Sequence, residues 1–344
     1  MRKELPTPDC KAEDLFMLQY AALKWELLKT AIELKLFDLT TEPVTARTVS
    51  DKRCLHAGNT EYMLNALVAL GCLKKEKELY QNTRQTEQFL TSGKDTSLGD
   101  SLLFMSSWIL PLLNGGLKEM VTNGPPPKQD ISAPEIWEKS ARVSINFSLC
   151  GRAQSVAHYV SMLPEFASFN RVLDLGAGPG IIGIAVTAAH PSLQCVLFDQ
   201  PAVAKVAREV VEEYGIGDRV TVQSGDYMQD DFGMDYDCIM ANFTLIFFRD
   251  NLGKIMEKTL AALKPGGVFM VTSDGLSHDR TAPAESVISW LPTMLQGNDM
   301  SFETGQIARA MLDAGFVSTE IKTLTDIECK AHGPVEMTIG RKGK

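Results

Sequence analysis

The sequence predicts a mainly α N-terminal module of winged-helix shape, followed by an α/β domain on a doubly wound parallel sheet. Three observations lead there. Its 344 residues suit about two domains. Apolar positions recur every three or four residues near the start, then change after Arg171 to short apolar strands alternating with helices. A glycine-rich turn closes the first of those strands.

Leu15, Leu18, Ala22, Trp25 and Ile32 form the stripe of a buried helix that Leu36, Phe37 and Asp38 close. Pro43 to Val49 reads as a short strand. Asn59 or Thr60 can then cap a helix running through Met63, Leu64, Leu67 and Leu70 to the stop at Gly71. Cys72 to Gln81 reads as two strands around a charged turn, the wing. The expected division is residues 1–95 as the winged helix, 96–150 as a helical linker and pocket segment, and 151–344 as the α/β domain. In the linker, the run Asn123-Gly-Pro-Pro-Pro127 is rigid and extended, and Phe104, Met105, Trp108 and Phe147 are pocket candidates.

Strands are expected at Arg171–Leu175, Gln194–Phe198, Arg219–Gln223, Tyr236–Ala241 and Gly267–Thr272. Helices fall at Ile181–His190, Ala202–Tyr214 and Leu252–Leu263, with Lys264-Pro-Gly-Gly267 as a turn. A last helix over Phe302–Ala314 and an antiparallel edge pair, Ser318–Thr323 with Val335–Ile339, complete the domain.

Composition narrows the function. The net charge of -9 disfavours nucleic acid. Residues 1–95 balance 14 basic against 14 acidic side chains, and Cys54–Leu73, which holds the would-be recognition helix, has no Lys or Arg. The N-terminal apolar surface exceeds what one small domain buries, so homodimerisation is its expected use. The longest apolar run, Ser101–Leu113, is interrupted by Ser106, Ser107 and Pro111, too short for a membrane span. Residues 1–14 carry Arg2, Lys3 and Glu4 without an apolar stretch, so a cytoplasmic protein is expected. Seven scattered cysteines (Cys10, Cys54, Cys72, Cys150, Cys195, Cys238, Cys329), never spaced C-x-x-C, read as reduced thiols, mostly core, with no metal site.

The chemistry sits at strand ends. Asp174-Leu-Gly176-Ala-Gly178-Pro-Gly180 ends the first strand, putting backbone where a ligand can approach. A nicotinamide or flavin fingerprint, G-x-G-x-x-G, fails from Gly176, whose sixth place is Ile181. It is matched by Gly178-Pro-Gly180-Ile-Ile-Gly183, with Gly183 inside the helix. Asp174 beneath the loop is unwelcome to a pyrophosphate but suits an ammonium or sulfonium group. Asp199 ends the second strand, placed for ribose hydroxyls, and Gly225-Asp226-Tyr227 ends the third, where Asp226 can accept from an adenine amino group and Tyr227 can pack on the ring. Gln200 and Asn242, at the ends of the second and fourth strands, complete the candidate set. The combination points to S-adenosylmethionine.

Further segments carry a resemblance. Glu33-Leu-Lys-Leu-Phe-Asp38, Thr60–Leu73, Phe198-Asp-Gln-Pro201 and Ala314-Gly-Phe316 are similar to the "ELGIFD", "LxRLLRALxxLGLL", "xDLP" and "AGF" segments of the two-domain class I S-adenosylmethionine-dependent O-methyltransferases, the caffeate, acetylserotonin and bacterial polyketide enzymes. The resemblance implies cofactor contacts from Gly176, Asp199, Asp226 and Tyr227, an intertwined dimer, and a small aromatic or polycyclic acceptor. It also exposes a departure. Where the family carries "VLHDW", whose His takes the acceptor's proton, this chain reads Thr244-Leu-Ile-Phe-Phe248, with Ile246 in the His position. The histidines are His56, His158, His190, His278 and His332. Three expectations follow: methyl transfer to carbon, sulfur or a hydroxyl served by another base, with His158 and His278 as replacements; a cofactor kept for other chemistry, hydroxylase- or cyclase-like; or a silent dimeric partner. Phe243, Phe247, Phe248, Trp290 and Met294 are the apolar residues expected near the cleft.

Overall fold

The computed structural model describes residues 7–127, 133–324, 327 and 333–344. Arg2, Lys3, Glu4, Cys329 and His332 lie outside the described residues. The chain divides into two compact units, residues 1–103 and 104–344.

In the first unit, α1 (Glu13–Glu33) leads to β1 (Val44–Thr45), α2 (Ala46–Arg53), α3 (Ala57–Ala69), β2 (Leu73–Glu76), β3 (Leu79–Asn82) and α4 (Arg84–Phe89), with α5 (Gly99–Ser106) at its end. The strands pair antiparallel in the order β1-β3-β2, the winged-helix arrangement. Leu36, Phe37, Leu64, Leu67 and Tyr80 are its largest buried residues. Three expectations are corrected here. The stripe expected to be buried along α1 is buried only at Ile32, whereas Leu15, Leu18 and Ala22 are exposed. The strand over Pro43–Val49 shrinks to two residues because the Thr45 side chain accepts from the Thr48 N–H at 3.2 Å and caps α2. The cap of α3 is His56, whose Nδ1 accepts from the Asn59 N–H at 3.2 Å, and not Asn59 or Thr60.

The second unit contains α6 (Gly116–Asn123), α7 (Pro134–Phe147), α8 (Ala153–Ser161), β4 (Arg171–Leu175), α9 (Ile181–Ala188), β5 (Gln194–Asp199), α10 (Pro201–Glu213), β6 (Val220–Ser224), β7 (Tyr236–Asn242), α11 (Leu252–Ala262), β8 (Leu263–Leu276), α12 (Ala284–Leu295), β9 (Phe302–Glu303), α13 (Gln306–Asp313), β10 (Ser318–Leu324) and β11 (Val335–Arg341). The sheet runs β10-β11-β8-β7-β4-β5-β6, parallel from β8 to β6, with β11 and β10 antiparallel at one edge. Alternate strand residues sort to two faces. Val172, Leu197 and Met240 pack among α8, α9 and α10, whereas Leu173, Phe198 and Ile239 pack among α11 and α13.

The expected turn Lys264–Gly267 lies instead within β8. Tyr236 pairs with Leu263 and Cys238 with Val268, so the extra residues form a wide bulge. The last helix begins at Gln306, because Phe302 and Glu303 pair with Gly275 and Leu276 as β9. The cysteines divide evenly: Cys150, Cys195 and Cys238 are buried, while Cys10 and Cys54 are exposed and Cys72 is between, so core placement holds for half of the described ones.

From β4 the chain winds outward through β5 and β6, then returns to add β7 on the other side of β4. The crevice outside the carboxyl ends of β4 and β7 is therefore the topological switch point, where ligands of such sheets bind.

Candidate active site

A cleft of about 820 Å³ opens at that switch point. All nine residues of the candidate set line it: Asp174, Gly176, Gly178, Asp199, Gln200, Gly225, Asp226, Tyr227 and Asn242.

The glycines divide by task. Gly176 has φ +76°, and a Cβ there would lie 2.1 Å from Thr244 Oγ1, so the loop passes hard against the chain leaving β7. Gly178 has φ +58° and open space around it, the one point in the loop where a ligand can meet bare backbone. Gly180 and Gly183 both press on Leu197, at 2.5 and 2.4 Å from an added Cβ, so the G-x-G-x-x-G register from Gly178 reflects helix-on-strand packing.

Asp199 ties this loop to β5. Its Oδ2 accepts from the Gly178 N–H and its Oδ1 from the Gln200 N–H, both at 2.8 Å, while Gln200 caps α10 ahead of Pro201. Burial pushes its carboxyl up to about 6, with the Gly178 and Gln200 amides pulling the other way. Asp174 is fully buried. Its Oδ1 accepts from Asn242 Nδ2 at 3.4 Å, and its Oδ2 faces the Gly183 amide without hydrogen-bond geometry. Burial raises it to about 7, and the Asp199 charge adds to that. Asn242 in turn accepts from Thr272 Oγ1 at 3.0 Å, linking Asp174 to β8.

At the end of β6, Asp230 Oδ2 accepts from the Asp226 N–H at 2.8 Å, and Gly225 leaves no room for a side chain between Phe198 and Asp230. The exposed Asp226 carboxylate accepts from the Met228 N–H at 2.7 Å and keeps further acceptor capacity toward the cleft. Tyr227 stands between the rings of Phe198 and Phe248, at 5.6 and 4.8 Å, with its hydroxyl toward Thr244 and Asp199; burial and the Asp199 charge hold that phenol well above its ordinary value.

The remaining walls mix aromatic side chains with polar ones such as Ser140, Ser144 and Ser148. Phe243, Ile246, Phe247 and Phe248 line one side, and Trp137 and Phe147 of α7 another; Trp137 meets Phe247 edge-on at 5.1 Å. Trp290 and Met294 do not line the cleft; Trp290 turns its Nε1–H to Asp274. Of the linker candidates only Phe147 reaches it, and Phe104, Met105 and Trp108 do not. Among the described residues no histidine lines the cleft. The two replacement bases are corrected accordingly: His158 is exposed on α8, and His278 is 97% exposed beside Glu303. Sequence reasoning missed Arg152, buried after a kink at Gly151 (φ +108°), and Arg249 with Asp299, paired at 3.1 Å on the cleft wall. Single charges in unremarkable sequence leave no pattern to find.

A loop with open space at Gly178, a strand-end carboxylate and a buried carboxyl short of partners define an α/β domain suited to a cationic cofactor that carries a ribose. Comparison with known proteins gives the family. Residues 135–317, more than half of the chain, match the O-methyltransferase domain, and residues 17–92 match the O-methyltransferase dimerisation domain. The chain belongs to this family of methyltransferases, and its cofactor is S-adenosylmethionine. It is 27% identical to the N,N-dimethyltransferase OxyT of Streptomyces rimosus, over 90% of this chain and 92% of that one. It is 24% identical to the tetracenomycin polyketide synthesis 8-O-methyl transferase TcmO of Streptomyces glaucescens, over 96% of each. Human N-acetylserotonin methyltransferase, solved with S-adenosylmethionine, shares the fold with a TM-score of 0.80 at 20% identity, over 99% of this chain and 100% of that one. No described helix is long and apolar enough to cross a membrane.

Proposed function

We propose that this methyltransferase acts on a small aromatic or polycyclic acceptor, at a nucleophile that needs no histidine base. One observation carries the reading: apart from Thr244, the residues of segment 243–248 that line the cleft are apolar, and no described histidine joins them. The cleft is near the upper end of ordinary ligand pockets and has space for a cofactor and a second flat molecule together. OxyT and TcmO, named for nitrogen and polyketide oxygen methylation, fit such acceptors.

In this reading Asp199 accepts from the ribose hydroxyls while its amide bonds hold the loop in register. Asp174, steadied by Asn242, lends negative charge beneath the amino-acid end, and Gly176 and Gly178 allow close approach. Asp226 accepts from the adenine amino group, and Tyr227, Gly225 and Gln200 shape that end of the cleft. The cofactor supplies a methyl group on a sulfonium. The protein's part is to align acceptor and methyl within the cleft. Replacing the base matters because a phenol near pKa 10 is mostly protonated at neutral pH, and a positioned base contributes 10²- to 10⁴-fold.

The protein is further proposed to be a homodimer in a reducing cytoplasm. Leu15, Leu18 and Leu23 of α1 are 70%, 71% and 64% exposed, and no disulfide joins the described cysteines. Light scattering at twice 37.8 kDa supports the dimer, and a monomer opposes it.

Incubation with labelled S-adenosylmethionine and a panel of phenolic, polyketide and amine acceptors tests the activity. S-adenosylhomocysteine formed only with an acceptor present supports it. Tight cofactor binding with no turnover on any acceptor would point to the silent partner instead.

A further inference from the structure

Asp226 and Tyr227 sit on the connection between β6 and β7, residues 225–235, which contains no helix or strand. Its turn is drawn inward around Asp226. The Gln229 and Asp230 N–H groups donate to the Asp226 carbonyl at 3.2 and 2.8 Å, and the Met228 N–H donates to the Asp226 carboxylate at 2.7 Å. With these amides used inside the turn, the carbonyls of Tyr227 and Asp230 need partners outside it. Both find the same one. Lys258 Nζ, reaching across from α11, donates to Tyr227 O and, at 2.8 Å, to Asp230 O.

The register of α11 delivers that side chain. Ile255, Met256, Thr259 and Ala262 are its buried face, and Lys258, one place before Thr259, stands at the border of it. Its ammonium lies 4.9 Å from the centroid of Phe232, a ring only 2% exposed that packs on Phe198, which packs in turn on Tyr227. One cation therefore ties the turn to α11 at two carbonyls and covers the ring stack behind Tyr227. Burial and the Lys254 charge hold this ammonium below its ordinary value, while the carboxylates of Asp226, Asp231 and Asp230 pull the other way. Lys258 is not among the residues lining the cleft.

We propose that Lys258 is the positioning residue of the adenine end: by clamping Tyr227 O and Asp230 O it aims the Asp226 carboxylate, and so sets the preference for a 6-aminopurine without touching the cofactor. This rests on the assignment of Asp226 to the adenine amino group above. Without the clamp the turn keeps its internal bonds but loses its tie to α11, and the carboxylate is no longer held on the line to the donor. An ammonium suits the task, because converging carbonyls beside three carboxylates favour a charged donor over a neutral one.

Calorimetric titration of the full-length protein with S-adenosylhomocysteine and with S-inosylhomocysteine, whose purine bears an oxygen in place of the 6-amino group, tests this. The wild type is expected to prefer the adenine form about tenfold or more, because the hypoxanthine oxygen cannot donate to Asp226. Lys258→Met, which keeps the stem and removes the ammonium, is expected to cut that ratio about threefold or more; Lys258→Arg should keep most of it, and Lys258→Gln should fall between. In Asp226→Ala the ratio is expected near one, and Lys258→Met added to it should move the ratio no further, since the lysine acts through that carboxylate. A wild-type ratio in Lys258→Met, equal weakening of both ligands as a merely structural role would give, or a further change of ratio in the double variant would overturn the proposal. If Lys258→Met does not fold, Lys258→Gln decides by the same ratio. The wild type separates two failures: equal affinity for the two ligands defeats the assignment of Asp226 and the proposal with it, whereas a clear preference that survives loss of the ammonium removes only the role of Lys258.

Discussion

The two halves of the cleft are built by different means. Around β4, β5 and β6, the ends of adjacent parallel strands present carboxylates and glycine backbone, with Asp199 held by a 2.8 Å bond from the Gly178 N–H and Asp174 by a long one, 3.4 Å, from Asn242. The opposite half, from the segment after β7 and from α7, is mostly aromatic, with Ser140, Ser144 and Thr244 among the rings and the Arg152 guanidinium stacked between two of them. The first half is constrained by backbone geometry and suits one ligand. The second is a matter of side-chain shape, and there the resemblance implies a departure from the family at Ile246. With the roles proposed above, cofactor and acceptor recognition could change independently in this fold.

The largest expected effect lies where the halves touch. Gly176→Ala puts a methyl group 2.1 Å from Thr244 Oγ1 at φ +76°, so both loops must shift. We expect a destabilisation of about 2–4 kcal/mol, read by thermal unfolding, and loss of measurable cofactor binding. Thr244→Gly in the same chain should restore part of both; if it does not, the halves are not coupled at that contact. Asp199→Ala comes next, expected to weaken S-adenosylhomocysteine binding by about 1–3 kcal/mol in calorimetry, since it removes a ribose acceptor and the clamp on Gly178. An unchanged affinity would misplace the ribose.

Asp174 sharpens the contrast through pH. Its native value of about 7 lies above the ordinary 3.8, as does that of Asp199 at about 6. Between pH 4 and 7 the native carboxyl holds its proton while the unfolded one has lost it, so this contribution to stability is present in acid and is lost as pH rises through the native value. Binding of the cationic cofactor needs the carboxylate and runs the opposite way. The unliganded protein should therefore lose thermal stability from pH 5 to 8 while cofactor affinity rises, and Asp174→Asn should flatten both profiles. A wild-type affinity independent of pH would contradict the role given to Asp174. The smallest effect is expected from Ile246→His. If no base is needed, kcat changes little and no new ionisation appears near pH 6.5; a gain of 10²-fold or more would show that proton removal limits the reaction.

That Asp174, Asp199 and Asp226 meet in one cleft could be read from the sequence, because each lies at or just after a strand end, and the loop glycines have steric reasons that survive without coordinates. Strand boundaries followed from burial: Val172, Leu173 and Leu175 are all buried, as in a sheet covered on both faces. What stayed hidden depends on contacts between distant segments. His56 caps α3 through a ring nitrogen, a use that residue type rarely signals, and β9 exists only because Gly275 and Leu276 offer it an edge. The bulge at Lys264–Gly267 looks locally like any turn. Arg152 is one of 34 basic residues until a kink and a strained Phe243 bring it between two rings. His158 and His278 were plausible bases by sequence position alone, but a side chain pointing into solvent leaves no trace in a single sequence.

The central claim is that the strand-end carboxylates and glycine loop form a working S-adenosylmethionine site although the histidine base is gone. Calorimetric titration of the purified protein with S-adenosylmethionine and S-adenosylhomocysteine at neutral pH tests it most directly. The account predicts micromolar binding of both, weakened in Asp199→Ala and unaffected in Ile246→His. No detectable heat with either ligand would contradict it and leave Asp174, Asp199 and Asp226 as structural caps.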